Sequence, residues 1–143
     1  MAYSYIQEDG TVAVCSLQSS IPTGATFAEV NQFPDKRYRN AWRLNAGAIE
    51  IDATEKVKAD KELVIAERNR RVGVIADSSG KKETTLLMQA LSLSHAKQGR
   101  PLTAAEKARE TEFLSLTSTI DAIDAIADAA ILAGTDFDSV VWE

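Results

Sequence analysis

The sequence is poor in the residues that form small reactive sites, with one cysteine, Cys15, and one histidine, His95. A single cysteine excludes a disulfide bond within the chain. A cysteine nucleophile would need a base, and His95 lies far along the chain in a stretch with a helical pattern. A lone histidine without neighbouring cysteines is also a poor metal ligand. We therefore interpret Cys15 as a buried strand thiol and expect no enzymatic activity, no metal and no cofactor.

Aromatic residues and long apolar runs are also scarce. Aromatic side chains make up 6% of the sequence, so the core must consist mainly of alanine, isoleucine, leucine and valine. This composition favours packing between helices over a large β-sandwich. No apolar run approaches the roughly 18 residues that a membrane-spanning helix needs, and the N-terminus has no signal-peptide pattern. We expect a cytoplasmic protein that does not enter a membrane.

Charge is distributed unevenly along the chain, whose net charge is −5. Residues 52–82 carry eight basic and six acidic side chains, whereas residues 83–143 carry four basic and ten acidic ones. Because there is no general basic excess, we expect no nucleic-acid partner. The cluster of Arg68, Arg70 and Arg71 could instead bind an acidic partner, and the first candidate is the chain's own acidic last third.

Short strands are predicted for the first part of the chain. Asp9-Gly10 stands between two β-prone runs and indicates a hairpin, because glycine accepts the positive φ that such turns need. Aromatic and basic residues alternate from Tyr38 to Leu44, which predicts another strand. We predict a small antiparallel β domain at residues 1–51, with strands over residues 3–6, 11–16, 26–30, 38–44 and 48–51.

The predicted strand at residues 38–44 allows two interpretations of its tryptophan. In the first, Trp42 closes a small core while Arg39 and Arg43 stay solvated. In the second, Arg39, Trp42 and Arg43 form a protein-binding edge, because tryptophan and arginine are enriched at interface hot spots. The pattern favours the core interpretation for Trp42.

Three helices are predicted for residues 52–134. Asp52 with Glu55, and Thr103 with Glu106, have the spacing of a capping box and mark the starts of the first and third helices. Expected ends are Ala76, Lys97 and Ala133, the last followed by the helix-stopping Gly134. The fold class is therefore α+β, a small N-terminal antiparallel β domain followed by a three-helix region with a long C-terminal helix.

The loop between the first two helices superficially resembles a phosphate-binding loop at Gly80-Lys81-Lys82. Lys82 stands where a P-loop needs serine or threonine, and a helix rather than a strand precedes the loop. We interpret the loop as a helix–helix connection.

The long third helix carries a heptad-like apolar row. This face could pack against helices of the same chain or against another subunit, so a homo-oligomer formed through this helix is one prediction. Asp121, Asp124 and Asp128 fall on the opposite face, which we interpret as a solvated acidic surface rather than a metal site. The row consists of Phe113, Leu116, Ile120, Ile123, Ala127 and Ala130.

The C-terminal tail, residues 135–143, is apolar enough to pack against another surface. It would pack on the chain's own β region or add to a partner. In the second case, its removal would weaken partner binding without unfolding the protein. The candidate partner-binding residues are Arg39, Trp42, Arg43, Phe113, Ile120, Ile123, Phe137, Val141 and Trp142.

A stretch of about 40 residues resembles a family of small bacteriophage tail proteins, labelled tail-fibre assembly or tail-fibre-associated proteins. The shared features are an Arg-Asn-Ala-Trp motif, a turn with glycine, an Ile-x-Ile-Asp strand and a basic helix. The rest of the chain agrees with the family in layout only. The matching residues are Pro34-Asp35, Tyr38-Arg39-Asn40-Ala41-Trp42, Gly47, Ile49, Ile51-Asp52 and Arg68-Asn69-Arg70-Arg71.

The resemblance implies a non-enzymatic protein that binds the tail fibre or the baseplate and assists fibre assembly or attachment. Such a protein would act in the host cytoplasm during assembly and could stay in the virion tail. The alternative is a permanent structural subunit of the virion, an adaptor or fibre-associated protein without a chaperone role. A small host-directed enzyme or regulator is the third hypothesis.

Overall fold

A computed structural model describes residues 1–80 and 82–143 and confirms the α+β class, with strands first and helices after them. The chain divides into two compact units, Met1–Glu62 and Leu63–Glu143. The division falls inside the first helix, and each unit is described separately. The strands are β1 Ala2–Ile6, β2 Val12–Cys15, β3 Phe27–Val30, β4 Trp42–Asn45 and β5 Ala48–Ile51, and the helices are α1 Ala53–Ser78, α2 Glu83–Gly99 and α3 Ala104–Ala133.

The first unit contains two small antiparallel sheets, one with the strand order β2-β1-β3 and one formed by β4 and β5. The predicted hairpin between β1 and β2 is confirmed, with Tyr3 opposite Cys15. Gly10 takes a φ of +81°, and the backbone N–H of Thr11 donates to Oδ1 of Asp9 at 2.9 Å. The local turn chemistry therefore sets the register of the hairpin.

The core of the first unit is a cluster of buried side chains from both sheets. Trp42, only 2% exposed, is its largest member, which agrees with the core interpretation of this residue. The side chains of Val14, Leu44 and Ile51 pack against the cluster. Its buried members are Val12, Val30, Trp42 and Ile49.

The predicted strand over residues 38–44 is wrong in its first half, because Lys36–Ala41 forms a 3₁₀ helix and the strand begins at Trp42. Asp35 caps the 3₁₀ helix by accepting a hydrogen bond from the backbone N–H of Arg37 at 2.9 Å. The alternation of aromatic and basic residues thus spans two elements. Tyr38 and Trp42 are both buried, but not as neighbours on one strand face.

The predicted helix starts and stops are largely confirmed. Asp52 accepts a hydrogen bond from the backbone N–H of Glu55 at 2.8 Å at the start of α1. Thr103 and Glu106 form a complete capping box on α3, and Gly134, with a φ of +64°, ends that helix. The first two helices each run two residues further than expected. In the connection between them, Lys81 lies outside the described residues.

The second unit has two buried apolar clusters. The first combines Val72 and Ala76 of α1 with Leu86 of α2 and the apolar row of α3. The second joins Val64, Ala127 and Ala130, and the side chains of the C-terminal tail pack against it. None of the helices in the described part of the chain is long and apolar enough to cross a membrane.

Candidate functional site

An exposed ring and an exposed cation each lie against the buried indole of Trp42. The ring of Phe33 stacks on Trp42 with 6.2 Å between centroids and 28° between planes. The guanidinium of Arg39 lies 6.0 Å from the centroid of the Trp42 ring. Phe33 and Arg39 are both exposed. We call these two side chains, with the Trp42 ring that each contacts, the Phe33/Arg39 surface.

Hydrogen bonds within the neighbouring chain segment hold this surface in place. The indole N–H of Trp42 donates to the backbone carbonyl of Asp35 at 3.3 Å, which ties the ring to the start of the 3₁₀ helix. The Asp35 side chain in turn accepts two hydrogen bonds from the guanidinium of Arg37, at 2.6 and 2.9 Å. The hydrogen bond from the Arg37 side chain, with that from its backbone, lowers the pKa of Asp35. The carboxylate stays ionised and keeps its capping role.

The three predicted residues of the protein-binding edge have different environments. Arg39 is exposed. Trp42 is buried, so it can contribute only by supporting the side chains that pack against it. Arg43 donates to the backbone carbonyls of Trp42 at 2.8 Å and Asn40 at 3.2 Å. Arg43 therefore supports the backbone, and Phe33 is an exposed hydrophobic residue at Trp42 that lies outside the predicted set.

A buried polar network fixes the 3₁₀ helix to the first turns of α1. The hydroxyl of Tyr38 donates to Oδ1 of Asp60 at 2.6 Å, and Nζ of Lys56 lies 2.8 Å from Oδ2. Asp60 is only 2% exposed, and the Lys56 ammonium also lies 4.7 Å from the centroid of the Tyr38 ring. Burial, and then the hydrogen bond to Asp60, raise the pKa of Tyr38. Because the Asp60 carboxylate is buried, the network is suited to holding the Tyr38–Trp42 segment in position.

In the second unit, Arg68 joins three helices. Its Nε donates to Oδ1 of Asp124 on α3 at 2.5 Å, and its Nη2 lies 2.9 Å from Oε1 of Glu83 on α2. The prediction that the arginine cluster binds the acidic last third is confirmed for this residue. The prediction of a fully solvated acidic face on α3 is wrong for Asp124, because Arg68 on α1 reaches it.

The predicted partner-binding residues of α3 face the interior of the second unit. Phe113, Ile120 and Ile123 are buried against α1 and α2, so they are not open to another protein in this structure. Periodicity identified the apolar face correctly, but helices of the same unit cover it. In this structure the three side chains pack within the chain, and partner binding by them stays a prediction.

The C-terminal tail packs on helices of its own unit. Phe137 and Trp142 are half-buried against the cluster of Val64, Ala127 and Ala130, and the guanidinium of Arg71 lies 5.1 Å from the centroid of the Trp142 ring. Val141, 74% exposed, is the tail residue of the predicted set that stays open to a partner.

The described residues contain no group of three or more histidine, cysteine or acidic side chains that could hold a metal ion. One surface depression of about 730 Å³ lies where α2 and α3 meet, but its charged side chains are mostly paired. The pairs are Lys97 with Glu110 and Arg100 with Glu106.

Comparisons with protein-family models, with curated proteins and with solved structures give no match for this chain. The resemblance to bacteriophage tail proteins therefore stays a prediction from the motif residues.

One pH effect follows from the pairing of Glu67. Hydrogen bonds from the side chains of Arg70 and then Arg71 lower its pKa from 4.5 to about 2. Because the folded-state pKa is depressed, the ion pairs stabilise the protein above pH 4.5 and lose this effect as the pH falls towards 2. We expect Glu67→Gln to lower the urea midpoint at near-neutral pH. The difference in midpoint from the wild type should shrink as the pH falls from 4.5 towards 2.

The exposed Glu62→Gln is a matched control for this measurement, because Glu62 lies on the same helix and carries the same charge. It should leave the urea midpoint close to that of the wild type. A Glu67→Gln difference that stays constant with pH would show that packing, and not the charge, is responsible.

Proposed function

We propose that the protein is a non-enzymatic bacteriophage tail protein that binds the tail fibre or the baseplate and assists fibre assembly or attachment. The observation that carries the proposal is the motif segment around Arg39-Asn40-Ala41-Trp42, whose sequence resembles that family. The arrangement of this segment supports a binding role, because the Trp42 ring contacts two exposed side chains, those of Phe33 and Arg39. The Phe33/Arg39 surface is the proposed contact.

The chemistry of this surface suits protein recognition. Arginine and aromatic side chains are enriched at hot spots because each provides a large contact area together with directional interactions. Here Phe33 and Arg39 already lie against Trp42, so little side-chain freedom is lost on binding. A complementary partner would offer a carboxylate for the guanidinium beside an apolar position for the ring.

The buried network below the surface supports this interpretation. Tyr38 is the residue before Arg39, and its hydroxyl is held by Asp60 at 2.6 Å. Trp42 is held by the Asp35 carbonyl on the other side. The backbone that carries Arg39 is therefore fixed at both ends, as a preorganised binding site requires.

We expect the Phe33→Ala/Arg39→Ala double variant to lose binding to the tail protein. Co-expression with candidate tail-fibre and baseplate proteins, followed by affinity purification, should recover partner with the wild type and at least about tenfold less with the variant. Both side chains are exposed, so the variant should keep the wild-type circular dichroism spectrum and melting temperature.

Leu17→Ala is the matched control, because Leu17 is another exposed large apolar residue of the first unit. It should recover as much partner as the wild type. If the wild type co-purifies with no fibre or baseplate protein, the proposed function is wrong. Equal losses for Leu17→Ala and the double variant would remove the Phe33/Arg39 surface from the proposal.

A permanent virion subunit is the alternative form of the same proposal. The Phe33/Arg39 surface would serve an adaptor as well as a chaperone, so the composition of the particle separates the two. Mass spectrometry of purified virions should find no copies of a dissociating chaperone and stoichiometric copies of a structural subunit.

A further inference from the structure

Helix α2 is attached to the second unit by few buried side chains. Among its described side chains only Leu86 is fully buried, and Ala90 and Leu93 are half-buried against the same cluster. Helix α3, by comparison, buries five residues. Because buried apolar contacts hold a helix to its core, the free energy that keeps α2 in place is small compared with that of α3.

Open grooves flank the line along which α2 meets α3. Leu93 and Phe113 line both grooves, so these two side chains form the contact between them. One groove has a volume of about 420 Å³ and the other a volume of about 180 Å³. The contact between the two helices is therefore narrow, and solvent borders it on both sides.

A buried amide oxygen of α2 has no partner while the helix is attached. Oε1 of Gln89 is shielded from solvent, and it accepts no hydrogen bond within the part of the chain that the structure describes. A buried acceptor without a donor destabilises the arrangement that buries it. Detachment of α2 would expose this oxygen to water, so Gln89 favours the detached state.

Ion pairs fasten α2 near its two ends. Glu83, in its first turn, lies 2.9 Å from the guanidinium of Arg68 on α1. Lys97, in its last turn, lies 2.7 Å from the carboxylate of Glu110 on α3. All four side chains are partly exposed. Partly exposed pairs stabilise a contact only weakly, so they can break and re-form without a large change in free energy.

The remainder of the second unit has contacts that do not involve α2. Val64 of α1 packs with Ala127 and Ala130 of α3, and the side chains of the C-terminal tail cover this cluster. Arg68 also binds Asp124, which joins α1 directly to α3. The start of α3 has its own capping box at Thr103. Helices α1 and α3 and the tail therefore keep these contacts when α2 is detached.

We propose that α2 is a lid on the second unit, fastened by the two ion pairs, that detaches and returns as one segment while α1, α3 and the tail stay packed. Opening would uncover the side of α3 that carries Phe113. This inference does not rest on the proposed function. An isolated helix of 17 residues is marginal in water, so the detached segment would lose its backbone hydrogen bonds. Its amide protons would then exchange with solvent.

Native-state hydrogen exchange of the full chain, measured by mass spectrometry of peptides, tests the lid. Relative to unfolded-chain rates, residues 86–96 should exchange at least about a hundredfold faster than residues 125–131. Urea should speed the exchange of residues 86–96 less steeply, because opening of one helix exposes less surface than unfolding of the unit. Equal opening free energies, or an equal dependence on urea, would mean that α2 opens only by unfolding of the whole unit and would overturn the proposal.

Val64→Ala separates opening of the lid from unfolding of the unit. Val64 is buried with Ala127 and Ala130 and keeps these contacts in the open state. The variant should therefore speed the exchange of residues 125–131 at least about tenfold and leave that of residues 86–96 within about twofold of the wild type. If both segments speed up by the same factor, α2 is not a lid.

The Glu83→Gln/Glu110→Gln double variant tests the fastening of the lid. Removal of both ion pairs should speed the exchange of residues 86–96 at least about threefold. Glu112→Gln is the matched control, because Glu112 is an exposed glutamate of α3 that belongs to neither pair. It should leave the exchange of residues 86–96 unchanged. The proposal is overturned if the control and the double variant have equal effects, or if the double variant has none.

Discussion

Trp42→Ala is expected to lower the free energy of unfolding of the first unit by about 3–5 kcal/mol, the usual effect of removing a large buried aromatic side chain. Trp42 is 2% exposed and packs with Val12, Val30 and Ile49. The change leaves a cavity in a unit with few other large core residues, so much of a typical domain stability of about 5–15 kcal/mol would be lost. Urea unfolding followed by far-UV circular dichroism measures the effect, and the remaining Trp142 reports on the second unit by fluorescence.

Two variants separate the core role of Trp42 from its place under the exposed surface. Trp42→Phe keeps a ring in the core and should cost clearly less than the alanine change. Arg39→Ala removes only the exposed cation and should change stability by no more than about 0.5 kcal/mol. If Trp42→Ala and Arg39→Ala have equal effects on stability, Trp42 is not the central residue of this core.

The parts of the fold that the sequence predicted well are those that neighbouring residues determine. The Asp9-Gly10 turn, the capping box of Thr103 and Glu106 and the stop at Gly134 each depend on residues within one turn of each other. Their hydrogen bonds are local and do not depend on the tertiary structure of the rest of the chain. Strand and helix limits next to such signals were therefore correct to within two residues.

The 3₁₀ helix at Lys36–Ala41 could not be predicted in this way. The alternation from Tyr38 to Leu44 fits a strand, and the competing Asp35 cap is a weak signal on its own. What favours the helix is a contact with Asp60, 22 residues further along the chain. The sequence does show Lys56 and Asp60 one helical turn apart, but it does not show that the pair is buried.

The candidate site could not be predicted from neighbouring residues alone either. Periodicity shows which side of α3 is apolar, but it does not show whether a helix of the same chain or another protein covers that side. The structure assigns the Phe113–Ile120 side to the interior and leaves Leu87, Met88 and Leu91 exposed on the shorter helix α2. Likewise no sequence pattern singles out Phe33. It becomes a candidate binding residue only because its ring stacks on Trp42 in the structure.

Deletion of residues 136–143 is expected to destabilise the second unit by about 3–5 kcal/mol, because three apolar side chains lose their partly buried positions. Phe137, Val140 and Trp142 pack against the cluster of Val64, Ala127 and Ala130, and the deletion would expose that cluster to water. Thermal and urea unfolding of the second unit should both shift to lower midpoints. This outcome is the opposite of the one expected for a tail that only docks on a partner.

Single substitutions in the tail distinguish packing from docking. Trp142→Ala should account for about 2 kcal/mol of the loss, because it removes a half-buried ring and its contact with the Arg71 guanidinium at 5.1 Å. Val141→Ala changes the neighbouring, exposed side chain and should leave stability within about 0.5 kcal/mol of the wild type. If the deletion leaves the unfolding midpoints unchanged and weakens only the recovery of tail-fibre proteins, the tail is a docking segment and its packing role is wrong. If stability falls as expected and Val141→Ala still recovers the partner, the binding surface lies outside the tail.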